Sequence, residues 1–228
     1  MNASSYVFPP SVFRGCLALL LLLGMAAQGL CQTPQQHVYA TGTGTNNPSV
    51  AVISGFDKNS LSGALSAIPT SPFPAHEADP MAVDGQGKFL FVAGPASIAM
   101  YAIDPASGAL TEVPSSPFPY IPTINPSQAP SNPLSIATER TGEYVYVGFQ
   151  NALGSPYSSI TPYLIDTSNA ADPVLDLGPQ LELDFTDGAP ANLFVDPTGR
   201  HLYVALGNTG GNFYSGFDLY DWMAAAAR

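Results

Sequence analysis

Residues Val195–Leu206 read VDPTGRHLYVAL, and two earlier stretches repeat the pattern: VDGQGKFLFVAG at Val83–Gly94 and TERTGEYVYVGF at Thr138–Phe149. The aligned glycines are Gly87, Gly142 and Gly199, separated by 55 and 57 residues. Three residues before each glycine stands an acid (Asp84, Glu139, Asp196), and directly after it a charged residue (Lys88, Glu143, Arg200). Four residues after it comes an aromatic (Phe91, Tyr146, Tyr203), then a valine. An acid at the opening of a short turn can accept hydrogen bonds from its own backbone. A glycine supplies the positive φ that closes a tight hairpin. The run that follows is aromatic and β-branched, as a strand requires. Its near-continuous apolar character calls for a sheet covered on both faces.

Working outward, a second element repeats at an offset of 45 residues. Ser62-Gly63-Ala64-Leu65 returns as Ser107-Gly108-Ala109-Leu110, and Ser71-Pro72-Phe73-Pro74 as Ser116-Pro117-Phe118-Pro119. Ahead of these lie Ser54-Gly55-Phe56-Asp57 and Tyr101-Ala102-Ile103-Asp104, with Tyr163-Leu164-Ile165-Asp166 and Ser215-Gly216-Phe217-Asp218 in the same role. Each unit therefore reads as four strands: a before the acid-to-glycine turn, b after it, c ending in the hydrophobic-Asp step, and d after Gly-Ala-Leu. The expected fold is all-β, a β-propeller of four-stranded antiparallel blades. The expected blades are 37–74, 78–119, 131–185 and 189–220, followed by an irregular tail at 221–228. Strand a is missing from the first blade and strand d from the last, so about three and a half blades are present and the ring is incomplete. Three explanations stand: a fragment of a longer propeller, which is favoured, two copies pairing into a larger ring, or an irregular closing strand in a four-bladed ring.

The Asp/Pro-x-Gly-(Lys/Arg)-x-hydrophobic-Tyr-Val pattern and Asp104–Thr111 resemble the YVTN-type repeat and the lactonase family of propellers, which includes lactone hydrolases similar to 6-phosphogluconolactonase. The resemblance covers nearly the whole chain after residue 31. It implies a lactonase-type carboxylic ester hydrolase, with a histidine at the start of strand a, eight residues before the turn glycine. Those positions hold Asp79, Leu134 and Ala191.

Export is expected from the N-terminus. Cys16–Ala27 read CLALLLLLGMAA, with Arg14 the one charge ahead of them. That is a signal peptide over 1–31, too short for a membrane span. Cleavage before Gln32 is preferred to lipid anchoring at Cys31, because Leu30 is large where a small residue belongs. Both cysteines, Cys16 and Cys31, fall in this leader, so the remainder has no disulfide and no thiolate site. The expected location is extracytoplasmic: periplasmic, secreted or surface. The net charge is −11, from 17 acidic and 6 basic residues. Without any basic run, nucleic acid and anionic lipid are excluded as partners. A small molecule or a protein remains.

Chemistry-bearing residues are few. His76, Glu77 and Asp79 precede strand a of the second blade, where a histidine beside carboxylates can act as general base or metal ligand. A polar loop is the plainer account of the same residues. Asp84, Gly87, Glu139, Gly142, Asp196 and Gly199 are expected to build the turns. No cofactor is expected, although the acids of 172–176 and 182–187 have the oxygen donors that a divalent cation such as calcium takes. No nucleophile elbow, zinc helix or phosphate loop occurs. Two functions stay open: a ligand- or protein-binding scaffold, and a lactone hydrolase.

Overall fold

The computed structural model describes residues 36–44, 47–77, 80–95, 97–120, 132–150, 158–183, 189–207 and 217–221. Among them there is no helix, and the strands form four antiparallel sheets in chain order. The first sheet holds β1 (Gln36–Gly44), β2 (Asn47–Lys58), β3 (Leu65–Ala67) and β4 (Phe73–Pro74). The second holds β5 (Met81–Val83), β6 (Phe89–Ala93), β7 (Ser97–Ile103), β8 (Leu110–Glu112) and β9 (Phe118–Pro119). The third holds β10 (Asn132–Thr138), β11 (Tyr144–Gln150), β12 (Ser158–Asp166), β13 (Val174–Leu177) and β14 (Leu181–Leu183). The fourth holds β15 (Ala189–Val195), β16 (His201–Gly207) and β17 (Phe217–Asp221). Each is an antiparallel meander, with the last two strands of each of the first three sheets sharing one partner strand, the arrangement of a propeller-like fold.

The turn between the first two strands of a unit is built by its acid. Asp84 Oδ1 accepts the Lys88 and Phe89 amides at 2.6 and 2.7 Å, and Oδ2 accepts Gln86 at 3.1 Å. Glu139, one methylene longer, makes the same pair of bonds through Oε1 to Glu143 (2.9 Å) and Tyr144 (3.1 Å). Asp196 Oδ1 accepts Arg200 and His201, both at 2.9 Å. Gly87, Gly142 and Gly199 carry φ of 70°, 75° and 72°, the left-handed region that a β-carbon disfavours.

These turns stack on one another. Thr138 Oγ1 donates to Val83 O at 2.7 Å, and Gln86 Nε2 donates to Thr141 O. Gly85 lies so close to the next turn that a β-carbon there would sit 2.4 Å from Arg140 Cα and Glu139 O.

Strand alternation sends successive side chains to opposite faces, and both faces are covered. Leu90 and Val92 pack back onto Ile53, Ile68 and Phe73 of the first sheet. Phe91 and Ala93 pack forward onto Val145, Val147 and Phe149 of the third. Tyr146 and Ile160 continue forward onto Leu202, Val204 and Leu206 of the fourth. Three cores therefore lie between four sheets, one in each gap.

The outermost strand is broken in two, a detail the repeat does not announce. β3 and β4 both pair with β2, and β8 and β9 both pair with β7. At the break, Ser71 Oγ accepts the Gly55 amide at 2.9 Å and Ser116 Oγ accepts the Met100 amide at 3.1 Å. A serine hydroxyl thus stands where a ladder carbonyl would be. The Ser71–Pro72 and Ser116–Pro117 peptide bonds that follow are cis.

The register also corrects one alignment. Asp104 Oδ1 accepts the Ala106 and Ser107 amides, both at 2.9 Å. In the first sheet the residue doing this is Asn59, whose Oδ1 accepts Leu61 at 3.0 Å and Ser62 at 2.9 Å. Asp57 sits two residues earlier, inside β2, opposite His37. Asp218 likewise lies within β17, opposite Val204. Tyr220, opposite Leu202, holds the place of Tyr101 opposite Leu90. The hydrophobic-Asp step is therefore shared by Asp104 and Asp166, and not by Asp57 or Asp218.

Two outcomes follow. Gly87→Ala, with open space around the new methyl, costs about 1–2 kcal/mol for its left-handed backbone. Gly85→Ala, which must push two turns apart, lowers the thermal midpoint further. Calorimetry on the pair tests the ranking, and equal losses would refute turn stacking. In addition, the Thr198 hydroxyl, and next the His201 amide, hold the Asp196 carboxyl down from 3.8 to about 2. The resulting stabilisation is complete above the unfolded value of 3.8 and is lost as pH falls toward 2. A carboxyl resonance of Asp196 titrating near 3.8 in the folded protein would contradict this.

Candidate functional site

Each histidine in the chain sits beside an acid. His37 Nδ1 lies 2.8 Å from Asp57 Oδ1, across the β1–β2 ladder, with its Nε2 buried and without a hydrogen-bond partner. His201 Nδ1 is 3.9 Å from Asp196 Oδ2. His76 Nε2 is 2.7 Å from Glu112 Oε1 on β8, and it is the most exposed of the three.

The third arrangement is the richest. The same Oε1 of Glu112 accepts the Ser116 hydroxyl at 2.8 Å. Below it the Tyr101 hydroxyl is buried without a partner. Burial first, and the Glu112 charge second, push that phenol up to about 12, so it stays protonated through the physiological range. His76, Glu112 and Ser116 do not assemble a nucleophile, because the Ser116 hydroxyl donates its hydrogen bond to the carboxylate and not to the imidazole, and its oxygen accepts from the Met100 amide. Glu77 turns elsewhere: its Cγ covers Gly94, where a β-carbon would stand 2.5 Å away. Asp79 lies outside the described residues. The structure thus joins His76 to Glu112, an acid that sequence spacing did not single out, and not to Glu77.

A second set of positions is set by β-bulges. In β10 the register jumps between Pro133 and Ser135, and in β15 between Pro190 and Asn192. The extra residues are Leu134 and Ala191, the very positions where the lactonase resemblance implies histidine. A bulge re-aims the side chain of its extra residue and recurs beside functional sites. The bulges are tied together by Ser135, whose buried hydroxyl donates to Pro190 O at 2.6 Å. The readable signal was a proline nine residues before Gly142 and Gly199, because proline inside a sheet marks an edge or a bulge.

A third cluster joins the second and third sheets. Gln180 Nε2 donates to Tyr120 Oη and to Thr161 Oγ1, both at 2.9 Å, and Tyr120 Oη lies 3.4 Å from Ser159 Oγ. The Tyr120 ring stacks on Phe149 with centroids 4.1 Å apart. The Tyr163 hydroxyl is buried nearby without a hydrogen-bond partner, its acidity suppressed by burial first and by Tyr120 second. These groups largely satisfy one another and so lock the inter-sheet packing.

Among the described residues no three His, Cys, Asp or Glu side chains are placed to share a metal ion. Asp172 is engaged at both oxygens by Ser115, through the amide at 2.9 Å and the hydroxyl at 2.7 Å. Residues 184–187 lie outside the described set. Among the described residues no helix is long and apolar enough to cross a membrane.

Similar solved structures include the periplasmic gluconolactonase of Pseudomonas aeruginosa, 18% identical, with a TM-score of 0.52 over 82% of this chain and 54% of that one. A protein from Lactobacillus plantarum is 21% identical, with a TM-score of 0.50 over 76% of this chain and 49% of that one. The chain spans about half the length of the structures it matches. No family model matches it, and no curated protein does. At these identities the likeness establishes the propeller-like fold.

Two substitutions separate the clusters. Ser135→Ala strips a buried carbonyl of its donor and costs about 1–3 kcal/mol. His76→Ala, which removes a half-exposed ion pair, costs at most about 1 kcal/mol. Urea unfolding of both variants checks this, and a larger loss at His76 would mean the pair holds the sheets together.

Proposed function

We propose that the chain supplies blades to an extracytoplasmic propeller that hydrolyses a sugar lactone of the gluconolactone type. The observation that supports this most is the shared fold with a periplasmic gluconolactonase across 82% of the chain. Because the chain covers 54% of that protein, the activity is proposed for the assembled ring and not for four sheets alone. The location outside the cytoplasm rests on the apolar leader at 1–31 and on that neighbour's compartment.

Lactone hydrolysis needs a base to take a proton from water as it attacks the carbonyl, and donors to meet the oxyanion that forms. In this chain the proposed base is Asp79, eight residues before Gly87, at the entrance of strand a. The equivalent entrances of the third and fourth sheets offer Leu134 and Ala191, which carry no proton and would shape an apolar wall. His76, 2.7 Å from Glu112, is the other candidate base.

A second reading, a binding module without turnover, is favoured by those same two apolar bulge residues. Purified full-length protein with glucono-δ-lactone in a pH-stat decides between them. The hydrolase reading expects acid release above the spontaneous rate, and a loss of about a hundredfold in Asp79→Ala, the size of a typical general-base contribution. Saturable lactone binding with no acid release would replace it by the binding module.

A further inference from the structure

Asp84 is followed by Gly85, and we propose that this pair is a site of spontaneous backbone isomerisation that the folded turn holds dormant. The inference rests on the turn and not on the lactonase reading. In an Asp-Gly pair no side chain shields the glycine nitrogen. When that nitrogen attacks the Asp84 γ-carbon, the N–C bond forms, one carboxyl oxygen leaves as water, and a cyclic imide results. Water then reopens the imide. Breaking its bond to the α-carbonyl leaves the main chain running through the side-chain carboxyl, an isoaspartyl link. Breaking the other bond restores aspartate. One water is lost and one regained, so the reaction calls for no other reactant.

Among the described residues Asp84 is the one aspartate followed by glycine. The sister turns resist for separate reasons. Asp196 precedes Pro197, which has no N–H with which to attack. Glu139 precedes Arg140 and would have to close a larger, slower-forming ring. The glycine at 85 is fixed by packing, because a β-carbon there would sit 2.4 Å from Arg140 Cα and Glu139 O. The second sheet therefore carries a reactive pair that the stacking of the turns itself demands.

The native turn blocks the attack. Asp84 is buried. Its amide donates to Phe89 O at 2.9 Å, and its carbonyl accepts the Gly87 amide at 3.0 Å. Its carboxylate is held at both oxygens, Oδ1 by the Lys88 and Phe89 amides and Oδ2 by the Gln86 amide. These bonds aim the carboxyl past Gly85, so reaction follows local opening of the turn. The product damages the joint between two sheets. An isoaspartyl link lengthens the main chain by one carbon and shortens the arm that carries the carboxyl. The cap to Lys88 and Phe89 is lost, and Gly85 shifts from its seat on Arg140. The bonds from Thr138 to Val83 and from Gln86 to Thr141 lie on either side of that seat.

Ageing the full chain in heavy-oxygen water, folded or unfolded in urea, and mapping its peptides tests the proposal. The map separates Asp84 from Asp187, the chain's other aspartate before a glycine. The expected product is isoaspartate at position 84 carrying heavy oxygen. It forms about tenfold or more slower in the folded chain, since several bonds to a charged carboxylate must break first. Asp84→Glu keeps the cap, as Glu139 does in the third sheet, and gives no such product folded or unfolded. The isomerised chain, isolated by chromatography, has a lower thermal midpoint than the fresh chain. No isoaspartate at position 84 in the unfolded chain, equal rates folded and unfolded, the same product in Asp84→Glu, or an unchanged midpoint after isomerisation would each overturn the proposal.

Discussion

Every sheet in this protein is apolar on both sides, and no sheet can bury both sides by itself. That constraint organises the rest. A side chain such as Phe91 or Val92 gains about 1.5–3 kcal/mol from full burial only if a neighbouring sheet lies against its face. The neighbour must also arrive at the right angle, and the acid-capped turns set that angle at one end. Gly85 lets one turn press against the backbone of the next, and Thr138 and Gln86 bond across the gap. The stack is stable as a stack: each added sheet covers the last and exposes a new face.

The parts legible in the sequence are those fixed by local chemistry. Asp84, Glu139 and Asp196 each cap amides four and five residues ahead, and the glycine between must take positive φ, so spacing alone reveals the hairpin. Alternation in Phe89–Ala93 reveals the strand and its two buried faces. What stayed hidden depends on pairing between strands. Asp57 looks like Asp104 in a string of letters, yet cross-strand register moves the cap two residues on to Asn59. The break in the outer strand needs the Met100 amide to meet Ser116, a choice made in three dimensions. The bulges at Leu134 and Ala191 left only the preceding prolines as a trace.

The candidate site shows the same division. His76 was legible as a proton-carrying residue near the entrance of a strand. Its partner Glu112, 36 residues away, was not, because nothing local links a loop to the outer strand of the next sheet. Once the pair is placed, its chemistry is limited by geometry: Ser116 is tied to the carboxylate and to Met100, and Glu77 covers Gly94. The bulged positions Leu134 and Ala191 stand in the same place in the third and fourth sheets with different side chains. A repeat protein can thus keep one backbone and vary its site one blade at a time.

The broken outer strand has a consequence for solubility. An open sheet margin with a long row of free amides and carbonyls is a template on which another chain can add a strand, and uncontrolled addition leads to fibres. In the first two sheets that margin is cut into segments of three and two residues, with two prolines in each gap. In these two sheets no continuous row remains for an incoming strand to read, and the rim there is closed to growth sideways.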